Sequence, residues 1–273
     1  MNPNQRPLIL FTNDDGIRSP GLWAAAEAFV GLADLLIAAP SEQQTSSGRS
    51  FPSHLDGRIY AEEVIVGGET LTAYAVVGSP AQTVQHAIHE LADRTPALVV
   101  AGINYGENLG SGITISGTVG AALEAACYGI PALAVSLQTP AELHLSHSDA
   151  VDFSGAAYFT RLLGERLLQT DRPDDVDFLK VDVPQRATPA TPWRVTRVSR
   201  HRLYRPVVPE RATLSDAGRM GYQHFDDYSW TEPDSDIYAI YQDEVVSVTP
   251  MSFDLTARTD RAMLAQLLAS DSP

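Results

Sequence analysis

Two adjacent carboxylates, Asp14 and Asp15, follow the apolar run Leu8-Ile9-Leu10-Phe11 and precede Gly16. Neighbouring acids repel, and each loses hydration if it is buried, so the pair calls for a cation beside it. A divalent-metal site is one reading; a solvated Asp-Gly turn is the other. Three further stretches carry matching chemistry. The polar run Ser41 to Ser50 has hydroxyls at Thr45 and Ser46, Asn104-Tyr105-Gly106-Glu107-Asn108 has amides, and Ser116-Gly117-Thr118 opens a run of small residues. Carboxylate, hydroxyl and amide oxygens suit a hard cation such as Mg²⁺, Mn²⁺ or Ca²⁺. A helix start at Ser116 would offer unpaired backbone N–H groups to an anion, or simply be capped by its own hydroxyl. A metal beside a phosphate cradle reads as phosphoryl transfer or phosphoester hydrolysis.

The elements that would position these groups read as alternating strands and helices. Residues 8–13 form a strand buried on both faces. Ser19-Pro20 supplies an N-cap and a first helical residue, and 34–40 form a second strand, completing a βαβ unit. If the two strands are neighbours, the 41–50 loop faces Asp14 and Asp15; otherwise it is a flexible linker. A hairpin is expected over 58–66 and 71–77, a helix from Ala81 to Ala92, a buried strand over 96–103, and a helix after Ser116. A strand over 130–136, an amphipathic helix over 149–169 and a strand over 176–183 close the regular part. The texture then changes. Residues 185–235 are rich in Pro, Arg, Asp and Tyr, with one strand from Trp193 to Val198. A strand over 243–250 and a helix over 256–268, capped by Thr256, end the chain. The expected division is a catalytic α/β core (1–184), an extension or oligomerisation segment (185–235), and a strand and helix (236–273) that return to the core or to a partner subunit.

Composition narrows the function. The 273 residues carry a net charge of −15, which argues against binding the phosphate backbone of nucleic acids. Cys127 is the only cysteine, so neither an internal disulfide nor a cysteine metal cluster is available. No stretch approaches the ~18 apolar residues of a membrane span, and Met1 to Pro7 does not read as a signal peptide. The expectation is a cytoplasmic protein with no nucleic-acid or membrane partner.

Taken together, the ordered motifs resemble the SurE family (survival protein E, 5′/3′-nucleotidase). They are Thr12-Asn13-Asp14-Asp15-Gly16-Ile17 with Ser19-Pro20-Gly21, then Gly102 to Gly110, then Ser116-Gly117-Thr118-Val119. Fainter echoes occur at Gly78-Ser79-Pro80, Val181 to Pro184 and Val246 to Pro250. The resemblance implies a phosphohydrolase acting on nucleoside 5′- and/or 3′-monophosphates through metal-activated water. It implies one divalent cation, Mg²⁺ or Mn²⁺, held by Asp14, Asp15, Thr45 and Asn104, with Asp14 and Asp15 central to catalysis. It also implies phosphate contacts from Asn108, Ser116, Gly117 and Thr118. The implied fold is a Rossmann-like, mostly parallel sheet with helices on both faces. A C-terminal segment would be exchanged within a homodimer or homotetramer. The chain departs from the family pattern twice. Thr45 stands where the loop serine is expected, with Ser46 next door as the alternative hydroxyl, and Asp243-Glu244-Val245 replaces a Gly-Tyr-Val type turn.

Other groups read as structural. His144 and His147 beside Asp149 suggest a polar loop more than a second metal site. His86 and His89 share a helix surface, His224 with Asp226 and Asp227 reads as solvated, and Tyr105 would pack or stack on a base. A phosphoacceptor signalling domain also has paired acids after its first strand, but Asn104 stands where it needs another acid. Lys180 there follows the fifth or sixth strand. The remaining alternative is a non-catalytic, metal-dependent nucleotide-binding protein.

Overall fold

The computed structural model describes residues 6–225 and 227–269. In chain order the strands are β1 (Leu8–Thr12), β2 (Asp34–Pro40), β3 (Ile59–Val66), β4 (Glu69–Val76), β5 (Leu98–Tyr105), β6 (Ala132–Leu137), β7 (Phe178–Val183), β8 (Trp193–Val195), β9 (Tyr204–Val207), β10 (Gly221–His224) and β11 (Val246–Met251). The α-helices are α1 (Pro20–Glu27), α2 (Pro80–His86), α3 (Gly117–Cys127), α4 (Ser154–Gln169), α5 (Asp236–Tyr241) and α6 (Arg261–Ala269). Nine strands share one sheet in the order β3-β4-β2-β1-β5-β6-β7-β11-β8. From β4 to β7 every neighbouring pair is parallel. Only β3 and β11 pair with that block in antiparallel fashion.

The parallel block is sandwiched, which is why its strands read as continuous apolar runs. Along β1, Ile9 and Phe11 point to one face, where they meet Leu22 and Ala25 of α1 and Phe159 and Leu163 of α4. Leu10 points to the other, against Val84 of α2 and Ala121 and Ala125 of α3. Each of the larger side chains among these (Ile, Leu, Phe, Val), once enclosed, contributes about 1.5–3 kcal/mol. The alanines of α3 let that helix lie close on the sheet. No helix among the described residues is long and apolar enough to cross a membrane.

The mostly parallel α/β sheet with helices on both faces is therefore as expected, and β1 and β2 are neighbours. Several boundaries differ. The helix expected from Ala81 runs from Pro80 to His86 and continues as a wider π-type turn over Ala87–Leu91. The helix expected at 149 starts at Ser154, because the Asp152 carboxylate accepts the Ser154 N–H at 2.8 Å and holds the entry as a turn. Glu244 sits at φ 50°, so the last strand begins only at Val246. Thr256 does not cap the final helix. Asp260 does, accepting the N–H groups of Ala262 and Met263 at 2.8 and 3.2 Å. The 185–235 segment is not wholly outside the core: β8 joins the sheet beside β11, while β9 and β10 form a separate hairpin. That segment also meets the core through a small apolar cluster of Leu109, Leu203, Tyr228, Ile237 and Ile240.

One topological feature positions the site. The chain passes from β1 to β2 and β4 on one side, then places β5 on the other side of β1. This reversal opens a crevice at the carboxyl ends of β1 and β5, the usual ligand position in such sheets.

Candidate active site

Asp14 and Asp15 leave the carboxyl end of β1 into that crevice. The turn is closed by Asn13, whose side chain donates to the Gly16 carbonyl at 3.0 Å and accepts the Gly16 N–H at 3.1 Å. Gly16 adopts φ 95°, a conformation side chains disfavour. The loop after β2 is stitched to the same turn: Ile17 N–H donates to Pro40 at 2.8 Å and Gln44 N–H to the Asp14 carbonyl at 2.7 Å.

Both carboxylates are buried. Asp14 Oδ1 accepts the Thr118 hydroxyl at 2.5 Å. Asp15 accepts the Gln43 amide at 2.9 Å and the Tyr105 N–H at 3.2 Å. Burial raises the Asp14 carboxyl to about 6, held there against pull-down by Thr118 and the backbone around Gly117. Burial and then the charge of Asp14 push Asp15 well above the ordinary aspartate range. Among the described residues, no lysine or arginine pairs with either acid. The pair is thus desolvated and uncompensated.

The helix start expected at Ser116 is present and aims at Asp14. Ser116 caps α3, its hydroxyl accepting the Val119 N–H at 3.1 Å. A Cβ on Gly117 would lie 2.6 Å from Asp14 Cβ, 2.8 Å from Asp14 Oδ2 and 2.7 Å from Ser47 Oγ. Only glycine lets the helix end, the acid and the loop close to this degree. The Ser116 and Thr118 hydroxyls are both engaged within the protein, and the backbone at Gly117 and Thr118 is turned to the Asp14 carboxylate.

The other expected residues divide. Asn104 is the penultimate residue of β5, with its side-chain nitrogen turned onto the carbonyls of Tyr105 and Gly106 at 3.2 and 2.7 Å; its side-chain oxygen is left to face away from them. Asn108 is fixed from two sides, its N–H donating to Asp182 at 2.8 Å and its side chain to Ser136 Oγ at 2.8 Å. Thr45 and Ser46 are exposed, Ser46 at φ 62°. The buried hydroxyl of this loop belongs to Ser47; like Asp14 it lies close beside Gly117, and it has no hydrogen-bond partner among the described residues. Spacing did not point to Ser47. It becomes visible only because Gly48 N–H binds the Ile115 carbonyl at 3.0 Å and draws the loop onto α3.

Nearby side chains form walls. Gln43 bridges Asp15 to the His144 carbonyl at 2.8 Å. His147 Nε2 meets the Asp15 carbonyl at 2.7 Å. His144 Nε2 meets the Thr139 carbonyl at 3.1 Å, and burial lowers its pKa. The two histidines and exposed Asp149 do not converge. Tyr105 is packed, edge-on to Phe153 at 5.0 Å, with its hydroxyl donating to the Ser148 carbonyl at 3.0 Å. His86 pairs with Glu90 at 2.5 Å on an outer helix surface. His224, expected to be solvated, is half-buried against Tyr204 at 4.5 Å and Tyr228 Oη at 3.0 Å. Asp227 is exposed, and Asp226 lies outside the described residues. Lys180 lies within β7, enclosed and paired with Asp182 and Asp236, not at a strand end as a phosphoacceptor domain requires.

The donor set fits a hard cation. No trio of His, Cys, Asp or Glu gathers among the described residues, so the protein ligands would be two carboxylates completed by neutral oxygens. Two buried acids lacking a counter-ion, beside an unpartnered buried hydroxyl, are what such an ion would relieve.

Comparison with known proteins identifies relatives that span nearly the whole chain. The family model described as Survival protein SurE matches residues 9–205. A protein of Thermococcus gammatolerans named 5′-nucleotidase SurE is 40% identical over 268 residues, 97% of each chain. One of the same name from Methanocella arvoryzae is 40% identical over 254 residues, covering 91% of this chain and 93% of its own. The crystal structure of a SurE protein from Aquifex aeolicus superposes with a TM-score of 0.76 at 28% identity, covering 96% of this chain and 100% of that one.

Proposed function

The chain belongs to the SurE family, and from that premise we propose that it is a nucleotidase: a divalent-metal-dependent phosphohydrolase that removes phosphate from nucleoside 5′- and/or 3′-monophosphates. The observation that carries the reading is the buried, uncompensated pair Asp14 and Asp15 facing the N-terminus of α3 at Gly117. A cation would be held by Asp14, Asp15, the Asn104 carbonyl oxygen and a hydroxyl from the 45–47 loop, where Thr45 is the residue the family pattern points to and Ser47 the buried one.

When bound, Mg²⁺ or Mn²⁺ would polarise a phosphate oxygen and acidify an attacking water. The protein supplies the remainder. The Gly117–Thr118 backbone and the Asn108 amide would receive the equatorial phosphate oxygens, each well-placed donor contributing about 3–4 kcal/mol to the transition state. Thr118, by donating to Asp14, holds that carboxylate in one orientation. Gln43, bonded to the Asp15 carboxylate, and His147, at its backbone carbonyl, would hold Asp15 in place.

Exposure at the C-terminal end supports a homodimer or homotetramer with an exchanged segment. Along α6, Met263 and Leu268 are 60% and 76% exposed, and an isolated hairpin such as β9–β10 is marginal in water by itself. The single, exposed Cys127 suits a cytoplasmic setting.

The test is hydrolysis of 5′- and 3′-nucleoside monophosphates with Mg²⁺, Mn²⁺ or EDTA. Metal-dependent phosphate release that EDTA abolishes is expected. Turnover undiminished by EDTA would overturn the metal; nucleotide binding without turnover in either metal would favour a binding protein instead.

A further inference from the structure

Lys180 is the only lysine in the chain, and its side chain is fully enclosed. Its ammonium pairs with Asp182, two residues along the same face of β7, at 2.5 Å and with Asp236, at the start of α5, at 3.1 Å. Neither carboxylate serves the lysine alone. Asp182 Oδ1 accepts the Asn108 N–H at 2.8 Å, and Asp236 Oδ2 accepts the Gly110 N–H at 3.1 Å. Asp236 Oδ1 also takes the Ser199 N–H at 2.9 Å. One cation therefore fixes two acceptors, on two elements distant in sequence, that hold both ends of the segment 108–110. The Asn108 side chain continues the arrangement by donating to Ser136, the residue level with Asp182 on β6.

A buried ion pair is often replaceable by packed apolar side chains at little cost in stability. Stability alone therefore does not account for an enclosed lysine here. Without the ammonium, Asp182 and Asp236 would repel each other, and the loop that presents Asn108 would lose its fixed acceptors. Displacement of a binding group by about 1 Å costs roughly 10²-fold in rate.

We propose that Lys180 is a positioning residue for phosphate binding: through Asp182 and Asp236 it sets the backbone from Asn108 to Gly110 and so orients the Asn108 amide. This rests on the reading that Asn108 contacts phosphate. The experiment measures inorganic phosphate binding by calorimetry in Mn²⁺-containing buffer, with hydrogen exchange of residues 106–110, for Lys180→Met, Asn108→Ala and the double variant. Lys180→Met is expected to weaken phosphate binding by about 10- to 100-fold and to speed exchange at 106–110 while β1 stays protected. The loss should not add to that of Asn108→Ala, because both act through one group. Full phosphate affinity in Lys180→Met, or losses that simply add, would overturn the proposal. If Asn108→Ala itself binds phosphate as the wild type does, the reading of Asn108 falls and the proposal with it. An impaired Asn108→Ala beside an unimpaired Lys180→Met overturns the proposal alone. Should Lys180→Met not fold, Lys180→Gln leaves a neutral donor beside Asp182 and Asp236 while removing the cation that fixes them, and it is judged by the same outcomes.

Discussion

Two pairs of buried aspartates flank this fold's active crevice and its β7–α5 junction, and they are built in opposite ways. Asp182 and Asp236 share the ammonium of Lys180. Burial alone would lower that lysine, yet the two carboxylates together hold it above its usual value. Asp14 and Asp15 are as deeply buried but have only neutral donors. Burial is the same in both places; the difference is the counter-ion. Where the chain supplies its own cation, the charges serve architecture. Where it does not, the proposed function has the cation come from outside, with the helix end beside it placed to receive the anion that cation attracts.

The comparison breaks most visibly at Asp14. Asp14→Asn keeps the shape and an acceptor for Thr118, so hydrolysis of nucleoside monophosphates should fall by at least about 10³-fold, the scale on which a lost electrostatic stabiliser acts. Full metal-dependent turnover in steady-state assays would remove Asp14 from the mechanism. The opposite pair should respond in stability. Lys180→Met strands two buried carboxylates, at an expected cost of about 3–5 kcal/mol in denaturant unfolding; a change below about 1 kcal/mol would show that its charges are not truly buried.

The interface between acid and helix end gives a sharper, smaller test. Gly117→Ala inserts a methyl into space that Asp14 and Ser47 already approach within 3 Å, and should cost about 1–3 kcal/mol by overpacking while lowering phosphate release. Unchanged activity would place the phosphate elsewhere. The smallest effect is expected at Ser47. Its hydroxyl has no protein partner, so Ser47→Ala should alter metal-free stability by no more than about 0.5 kcal/mol yet weaken Mn²⁺ binding in titration calorimetry. The same measurement on Thr45→Val decides which hydroxyl of the loop the ion uses.

Much of this contrast was legible in the residues. A strand of four apolar residues ending in Asn-Asp-Asp-Gly marks a buried strand meeting charge, and Ser116 followed by small residues marks a helix lying close to the sheet. Parallel pairing then places both ends in one crevice. What was not legible depends on long-range closure. Asp182 follows Lys180 by two residues and so shares its face of β7, but no spacing joins Asp236 to them; it arrives only when α5 returns to β7. Ser47 is indistinguishable from Thr45 and Ser46 in a hydroxyl-rich loop until Gly48 is drawn onto Ile115. Near the C-terminus, Thr256 and Asp260 are both good caps, and only the bonds that Asp260 makes decide between them.

The central claim is that Asp14 and Asp15 form an uncompensated pair awaiting a divalent cation. Thermal unfolding of the wild type and of Asp14→Asn, each after chelation and each with added Mn²⁺, tests it most directly. The account predicts that Mn²⁺ raises the wild-type Tm, since a ligand bound only by the folded state stabilises it. It also predicts that Asp14→Asn shows no such rise, yet when metal-free is at least as stable as the metal-free wild type, because a repulsive buried charge is gone. A wild-type Tm indifferent to Mn²⁺, or a metal-free Asp14→Asn that unfolds well below the wild type, would contradict it.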